Sequence, residues 1–128
     1  MRLLLDTCTF LWTITGSSSL SARARTIIAD PANEVLLSVV SAWEIAVKCE
    51  RGRLAMHDAP DRFVPAQRDA HGIAPLPLDE ESVLHATRLP ALHRDPFDRM
   101  LVCQAIVHGL TIVTPDELVL QYPARTIW

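Results

Sequence analysis

The chain has 128 residues, of which 49% are hydrophobic and 21% charged. That composition excludes a disordered or low-complexity protein and suits one globular domain, residues 1–128, with a real core. The formal net charge of −3 argues against a protein that wraps nucleic acid through a basic surface, although not against an enzyme that grips one short RNA segment.

Leu3-Leu4-Leu5 is a short apolar run closed by Asp6, and it reads as a buried parallel strand. The run is too short for a signal peptide. No window approaches the roughly 18 apolar residues of a membrane span. Residues 7–14 read as a helix, broken by Gly16 and the serines at 17–19. Ser21 suits the cap of a second helix, 22–29, which Asp30-Pro31 ends. Phe10, Trp12, Ile14 and Leu20 are too many for one face of a short helix. Part of them is therefore expected to form an exposed apolar patch for a partner.

Residues 35–38 read as a second strand, followed by a helix over 41–51 that Gly52 stops. A helix over 60–69 carries Pro65. Ile73-Ala74 is a short strand. Residues 78–89 read as a helix with Asp79 as cap and Pro90 as stop. Pro96 opens a long helix to His108, with Gly109 after its end. Residues 110–113 are a strand, 115–120 a short helix and 126–128 a last strand. Strands alternating with helices predict an α/β fold, a mainly parallel sheet with helices on both faces. In such folds ligands bind beyond the carboxyl ends of the strands.

Asp6 closes the first strand and Asp116 follows the strand at 110–113, so both belong to that binding edge. Glu44 lies in the first turn of the helix after the second strand, at the same edge. Asp98 lies in the first turn of the Pro96 helix, above an apolar stripe of Leu101, Val102 and Ala105. Converging carboxylates repel one another without a cation, and hard oxygen ligands call for Mg²⁺ or Mn²⁺. Such ions lower the pKa of bound water and stabilise an in-line phosphoryl displacement.

Each acid also has a purely structural reading. Glu44 stands three residues after Ser41, as in a capping box, and four before Lys48, as in a helix-surface ion pair. Asp116 suits a helix cap. Asp98 complements the helix dipole. Asp95, just before Pro96, is expected to be the cap of the long helix rather than a ligand. Asp6 has the least structural excuse.

Other chemistry finds little support. There is no GxSxG, Walker or GxGxxG motif. Cys8, Cys49 and Cys103 have no ligand spacing and are expected to be small buried hydrophobes in a reducing cytoplasm. Among the histidines only His93, beside Arg94, suggests a phosphate contact. Arg51, Arg53, Arg94 and Arg99 are candidates for a basic rim facing RNA, with solvated surface charge as the default.

Four blocks together resemble the PIN-domain family, and within it the VapC-like toxins of bacterial toxin–antitoxin pairs. They are LLLDT at 3–7, SAWEIAVK at 41–48, HRDPFDRML at 93–101 and TIVTPD at 111–116, joined by the terminal Ile127-Trp128. They follow the family's order and span the chain, and the DPFDR block is the most specific. Cys8 departs from the histidine that relatives often carry there.

The resemblance implies a sheet of order 3-2-1-4-5. It implies a catalytic metal site of Asp6, Glu44, Asp98 and Asp116, with Thr7 and Thr114 in support. It further implies a metal-dependent ribonuclease toxin in the cytoplasm, a VapB-like antitoxin that blocks it, and a toxin homodimer. The competing expectations are a receiver-like Mg²⁺-binding signalling domain and a catalytically silent binding module on the PIN fold. Against a receiver, the early acid Asp6 is single and no lysine follows Lys48.

Overall fold

The computed structural model describes residues 1–128. Its elements in chain order are β1 (Arg2–Leu5), α1 (Thr7–Thr15), α2 (Ala22–Ala29), β2 (Glu34–Ser38), α3 (Val39–Glu50), α4 (Pro60–Ala70), β3 (Ala74–Leu76), α5 (Glu80–His85), a 3₁₀ turn (Ala86–Arg88), α6 (Pro96–His108), β4 (Thr111–Val113), α7 (Glu117–Leu120) and β5 (Arg125–Ile127). The five strands form one parallel sheet in the order β3-β2-β1-β4-β5. A receiver-like sheet has the order 2-1-3-4-5, so that alternative is overturned.

β1 is central, and Leu3, Leu4 and Leu5 are all fully buried. A strand covered on both faces needs apolar residues at successive positions, not alternate ones. Leu3 and Leu5 face a core with Phe10, Ala24, Ile45 and Val64 from α1, α2, α3 and α4. Leu4 faces the opposite core with Leu101, Val102 and Ala105 of α6 and Val119 of α7. The result is three layers, helix on sheet on helix.

The Ser21, Asp79 and Asp95 caps form as expected, on the N–H groups of Ala24, Ser82 and Phe97. The start of α3 differs. Ser38, not Ser41, is its cap, and its hydroxyl accepts from Val40 N–H at 3.0 Å and donates to Gln104 Oε1 at 2.5 Å. Ser41 is buried inside the helix, and its hydroxyl finds no partner. The strand therefore passes into the helix without a loop, and the earlier start puts Glu44 in the second turn of α3, not the first. The helix expected over 78–89 is shorter, tightening into the 3₁₀ turn before Leu89. Pro75 sits in β3, an edge strand, where a missing N–H is tolerated.

Two expectations about exposure hold only in part. Phe10 and Leu20 are buried, and Trp12 and Ile14 pack against the same core; Trp12 meets Trp128 with ring centroids 5.9 Å apart. The C-terminal residues and α2 cover what the short helix alone leaves bare. The large exposed apolar side chains are elsewhere, Trp43 and Leu84 foremost. Cys8 is exposed and Cys49 half-buried, so only Cys103 is the buried hydrophobe expected of all three.

Candidate metal centre

The four acids singled out in the sequence all lie at the carboxyl edge of the sheet. Asp6 follows β1 and Asp116 follows β4. α3 leaves directly from the carboxyl end of β2 and carries Glu44. α6 feeds β4 through a tight turn at Gly109, where φ is +65°. Its opposite end, with Asp98, must therefore return to the carboxyl edge.

Asp6 is buried, and both of its oxygens are engaged. Oδ1 accepts from Thr9 N–H at 2.7 Å, which makes Asp6 the cap of α1. Oδ2 accepts from the Thr114 hydroxyl at 2.5 Å. The same hydroxyl accepts from Asp116 N–H at 3.1 Å, so Thr114 ties the first acid to the last. Burial pushes the Asp6 carboxyl above its ordinary pKa. The Thr114 and Thr9 hydrogen bonds pull the other way, and the charge of Asp116 adds to the rise.

Glu44 is also buried. Its Oε1 accepts from the Thr7 hydroxyl at 2.6 Å, and Oε2 pairs with Lys48 Nζ at 2.5 Å. The i,i+4 pair read from the sequence is therefore real, but its acid is inside the protein rather than on a solvated face. The hydrogen bond to Glu44 holds the Lys48 ammonium above its ordinary pKa.

Asp98 carries the largest perturbation. Burial pushes its carboxyl up to about 7, with the charges of Asp95, Glu44 and Asp116 adding and His93 opposing. Asp95 caps α6, accepting from Phe97 N–H at 2.9 Å and from Asp98 N–H at 3.4 Å. Asp116 caps α7 through Oδ1, at 2.8 Å from Leu118 N, and leaves Oδ2 turned toward His93.

His93 is the residue whose place the sequence reading missed. It lies among the acids, with Nε2 3.0 Å from Asp98 Oδ2 and 3.7 Å from Asp116 Oδ2. One donor atom from each of these three residues lies within 4.8 Å of the others, a spacing that suits a metal ion. Arg94 is exposed and makes no side-chain hydrogen bond or ion pair. Arg99, the other candidate for the basic rim, is turned inward. It donates to the carbonyls of Pro90 and Ala86 at 2.9 and 3.2 Å and to the Tyr122 hydroxyl at 3.1 Å. Arg51 and Arg53 are exposed at the end of α3.

The chain is similar to known proteins along its whole length. Ribonuclease VapC16 of Mycobacterium tuberculosis (strain ATCC 25618 / H37Rv) is 36% identical over 63 residues, 49% of this chain and 45% of that protein. That match spans about half of either chain. The VapBC2 structure from Rickettsia felis, bound to a DNA fragment from its promoter, superposes with a TM-score of 0.73. It covers 99% of this chain and 98% of that chain at 13% identity. A toxin–antitoxin complex from Klebsiella pneumoniae gives a TM-score of 0.64, covering 98% of this chain and 96% of that chain at 13% identity. No helix is long and apolar enough to cross a membrane. The PIN domain family model matches residues 3–123, and with the sheet order and the shared fold this establishes that the chain belongs to the PIN domain family.

Proposed function

We propose that this chain is a metal-dependent endoribonuclease, the toxin of a toxin–antitoxin pair, whose centre is formed by Asp6, Glu44, Asp98 and Asp116 with Mg²⁺ or Mn²⁺. The observation that carries this reading is a deficit of positive charge. Of the four acids only Glu44 has a Lys or Arg partner. Asp6, Asp98 and Asp116 have none, Asp116 adds its charge to the rise of both Asp6 and Asp98, and the Asp98 carboxyl is held at about 7. A divalent cation on hard oxygen donors would relieve that repulsion.

Mg²⁺ or Mn²⁺ held by these acids would lower the pKa of water and would stabilise the charge of an in-line displacement at phosphorus. The protein's own groups do the positioning. Thr114 and the Thr9 amide fix the plane of the Asp6 carboxylate. Thr7 does the same for Glu44. Asp95 holds the first turn of α6 and with it Asp98. Arg94, exposed and unpaired next to His93, is the side chain best placed to meet an RNA phosphate. Arg99 serves this reading as a brace of the loop, not as an RNA contact.

Similarity to a protein named a ribonuclease, and to VapBC and toxin–antitoxin structures, supports the same assignment for this chain. The reading includes a cytoplasmic protein with residues 1–128 as one PIN domain, a toxin homodimer, and a VapB-like antitoxin. That partner would set an arginine or lysine against Asp6 and Asp98. The alternative is a PIN-fold binding module without catalysis. The test is cleavage of single-stranded RNA by purified protein in Mg²⁺ or Mn²⁺ and in EDTA. Cleavage that EDTA abolishes and Mn²⁺ restores supports the proposal. Equal cleavage in EDTA removes the metal from the mechanism, and no cleavage under any metal favours the silent module.

A further inference from the structure

His93 stands just before α6, and its imidazole is only 13% exposed. Asp95 N–H donates to Nδ1 at 3.2 Å, so Nδ1 is an acceptor and the neutral ring carries its proton on Nε2. The His93 backbone N–H donates to the Tyr122 hydroxyl at 2.8 Å. Arg99 donates to the same hydroxyl and to the carbonyls of Pro90 and Ala86. The segment that carries His93 is thus tied to the C-terminal part of the chain and, through Arg99, to Pro90 and the start of the 3₁₀ turn.

Nε2 itself is buried and makes no well-directed hydrogen bond. It lies 3.0 Å from Asp98 Oδ2 and 3.7 Å from Asp116 Oδ2, in line with neither. Those two acids come from different elements, α6 and the connection after β4. Neither has a Lys or Arg partner. Two carboxylates this near one another repel, and the only donor set between them is Nε2–H.

We propose that His93 is a positioning residue that holds Asp98 and Asp116 together as one ligand pair for the metal, without itself binding the ion. The proposal rests on the reading of these acids as a metal centre. Direct ligation by Nε2 would need a lone pair there and the proton on Nδ1. That proton would then oppose Asp95 N–H at 3.2 Å, two donors facing each other. The tautomer that satisfies Asp95 is the one that places the Nε2 proton beside the two carboxylates. Asp116 Oδ1 is already taken by the first amides of α7, so orientation of this acid falls to Oδ2, the oxygen nearer His93. Partners that hydrogen-bond a ligating group typically carry about 10–100-fold in metal affinity.

The test is a Mn²⁺ titration followed by the EPR signal of free Mn²⁺, on wild type, His93→Ala and His93→Gln, with pulsed EPR of the bound ion. His93→Ala should bind Mn²⁺ about 10–100-fold more weakly. His93→Gln, whose amide donates from a similar place, should recover most of the affinity. Wild type should show no directly coordinated nitrogen. If His93→Ala does not fold, His93→Phe fills the volume without a donor and takes its place. Affinity of the donor-less variant within twofold of wild type overturns the proposal. So does a bound-nitrogen signal in wild type that His93→Gln abolishes, which would make His93 a ligand. Wild type that binds no Mn²⁺ overturns the metal centre itself, a result distinct from both.

Discussion

The Thr114 hydroxyl donates to Asp6 Oδ2 at 2.5 Å, joining the carboxyl ends of β1 and β4 inside the protein. Thr114→Val keeps the shape and removes the donor. It leaves a buried carboxylate oxygen and the Asp116 N–H without their partner. We expect a loss of about 1–3 kcal/mol in urea unfolding and a drop in Mn²⁺ affinity of roughly 10-fold or more. Wild-type values for both would show that the bond does not position Asp6.

The metal-free protein should be less stable at pH 8 than at pH 5. Asp98 has an ordinary pKa of 3.8 and is pushed up to about 7 in the fold, and Asp6 is raised as well. The fold therefore favours the protonated acids. The Asp98 contribution is full below about pH 4 and is lost as pH rises through 7, and Asp6 acts in the same direction. In EDTA the melting temperature should fall across this window, by several degrees for a cost on the order of 1–3 kcal/mol. Asp98→Asn should flatten that slope, and Mn²⁺ should reverse it. A pH-independent Tm in EDTA would contradict the assigned repulsion.

The two acids of the DPFDR block should separate. Asp98→Asn removes an ionised ligand at nearly constant volume and should abolish cleavage while stability holds or rises. Asp95→Ala removes the α6 cap and should cost about 0.5–2 kcal/mol while leaving much of the rate. Kinetics and denaturation of both variants decide this, and the reverse pattern would reassign the ligand.

Arg94 and Arg99 should differ in the same manner. Arg99→Ala breaks bonds to Pro90, Ala86 and Tyr122 and should destabilise the chain by about 1–3 kcal/mol. Arg94→Ala should leave Tm unchanged, raise KM for RNA and weaken the salt dependence of binding. A rise in KM from Arg99→Ala at unchanged stability would restore it to the RNA-facing rim.

Strand-ending acids and apolar runs made the sheet and most of the candidate site legible in the sequence. Periodicity and punctuation mark elements, and in a parallel sheet the carboxyl ends share an edge. Asp98 needed one further step, because its helix reaches that edge only by running back from β4. What stayed hidden depended on tertiary contact. Ser38 outcompetes Ser41 as a cap because β2 passes straight into α3. Trp12 looks bare in its own helix but is covered by Trp128, far away in sequence. Arg99 looks like a surface charge until the Pro90 and Ala86 carbonyls claim it. The place of His93 follows from how the loop before α6 is tied to Tyr122, which no local pattern encodes.

Asp6 is the buried acid where β1, α1 and Thr114 meet. The decisive measurement is the rate of single-stranded RNA cleavage in saturating Mn²⁺ by wild type and Asp6→Asn, each verified as folded by circular dichroism. We predict metal-dependent cleavage by wild type and a loss of at least about 100-fold in the variant, as expected when an ionised metal ligand is removed. Cleavage by folded Asp6→Asn at the wild-type rate would contradict the account, because the chemistry would then lie outside this carboxylate centre.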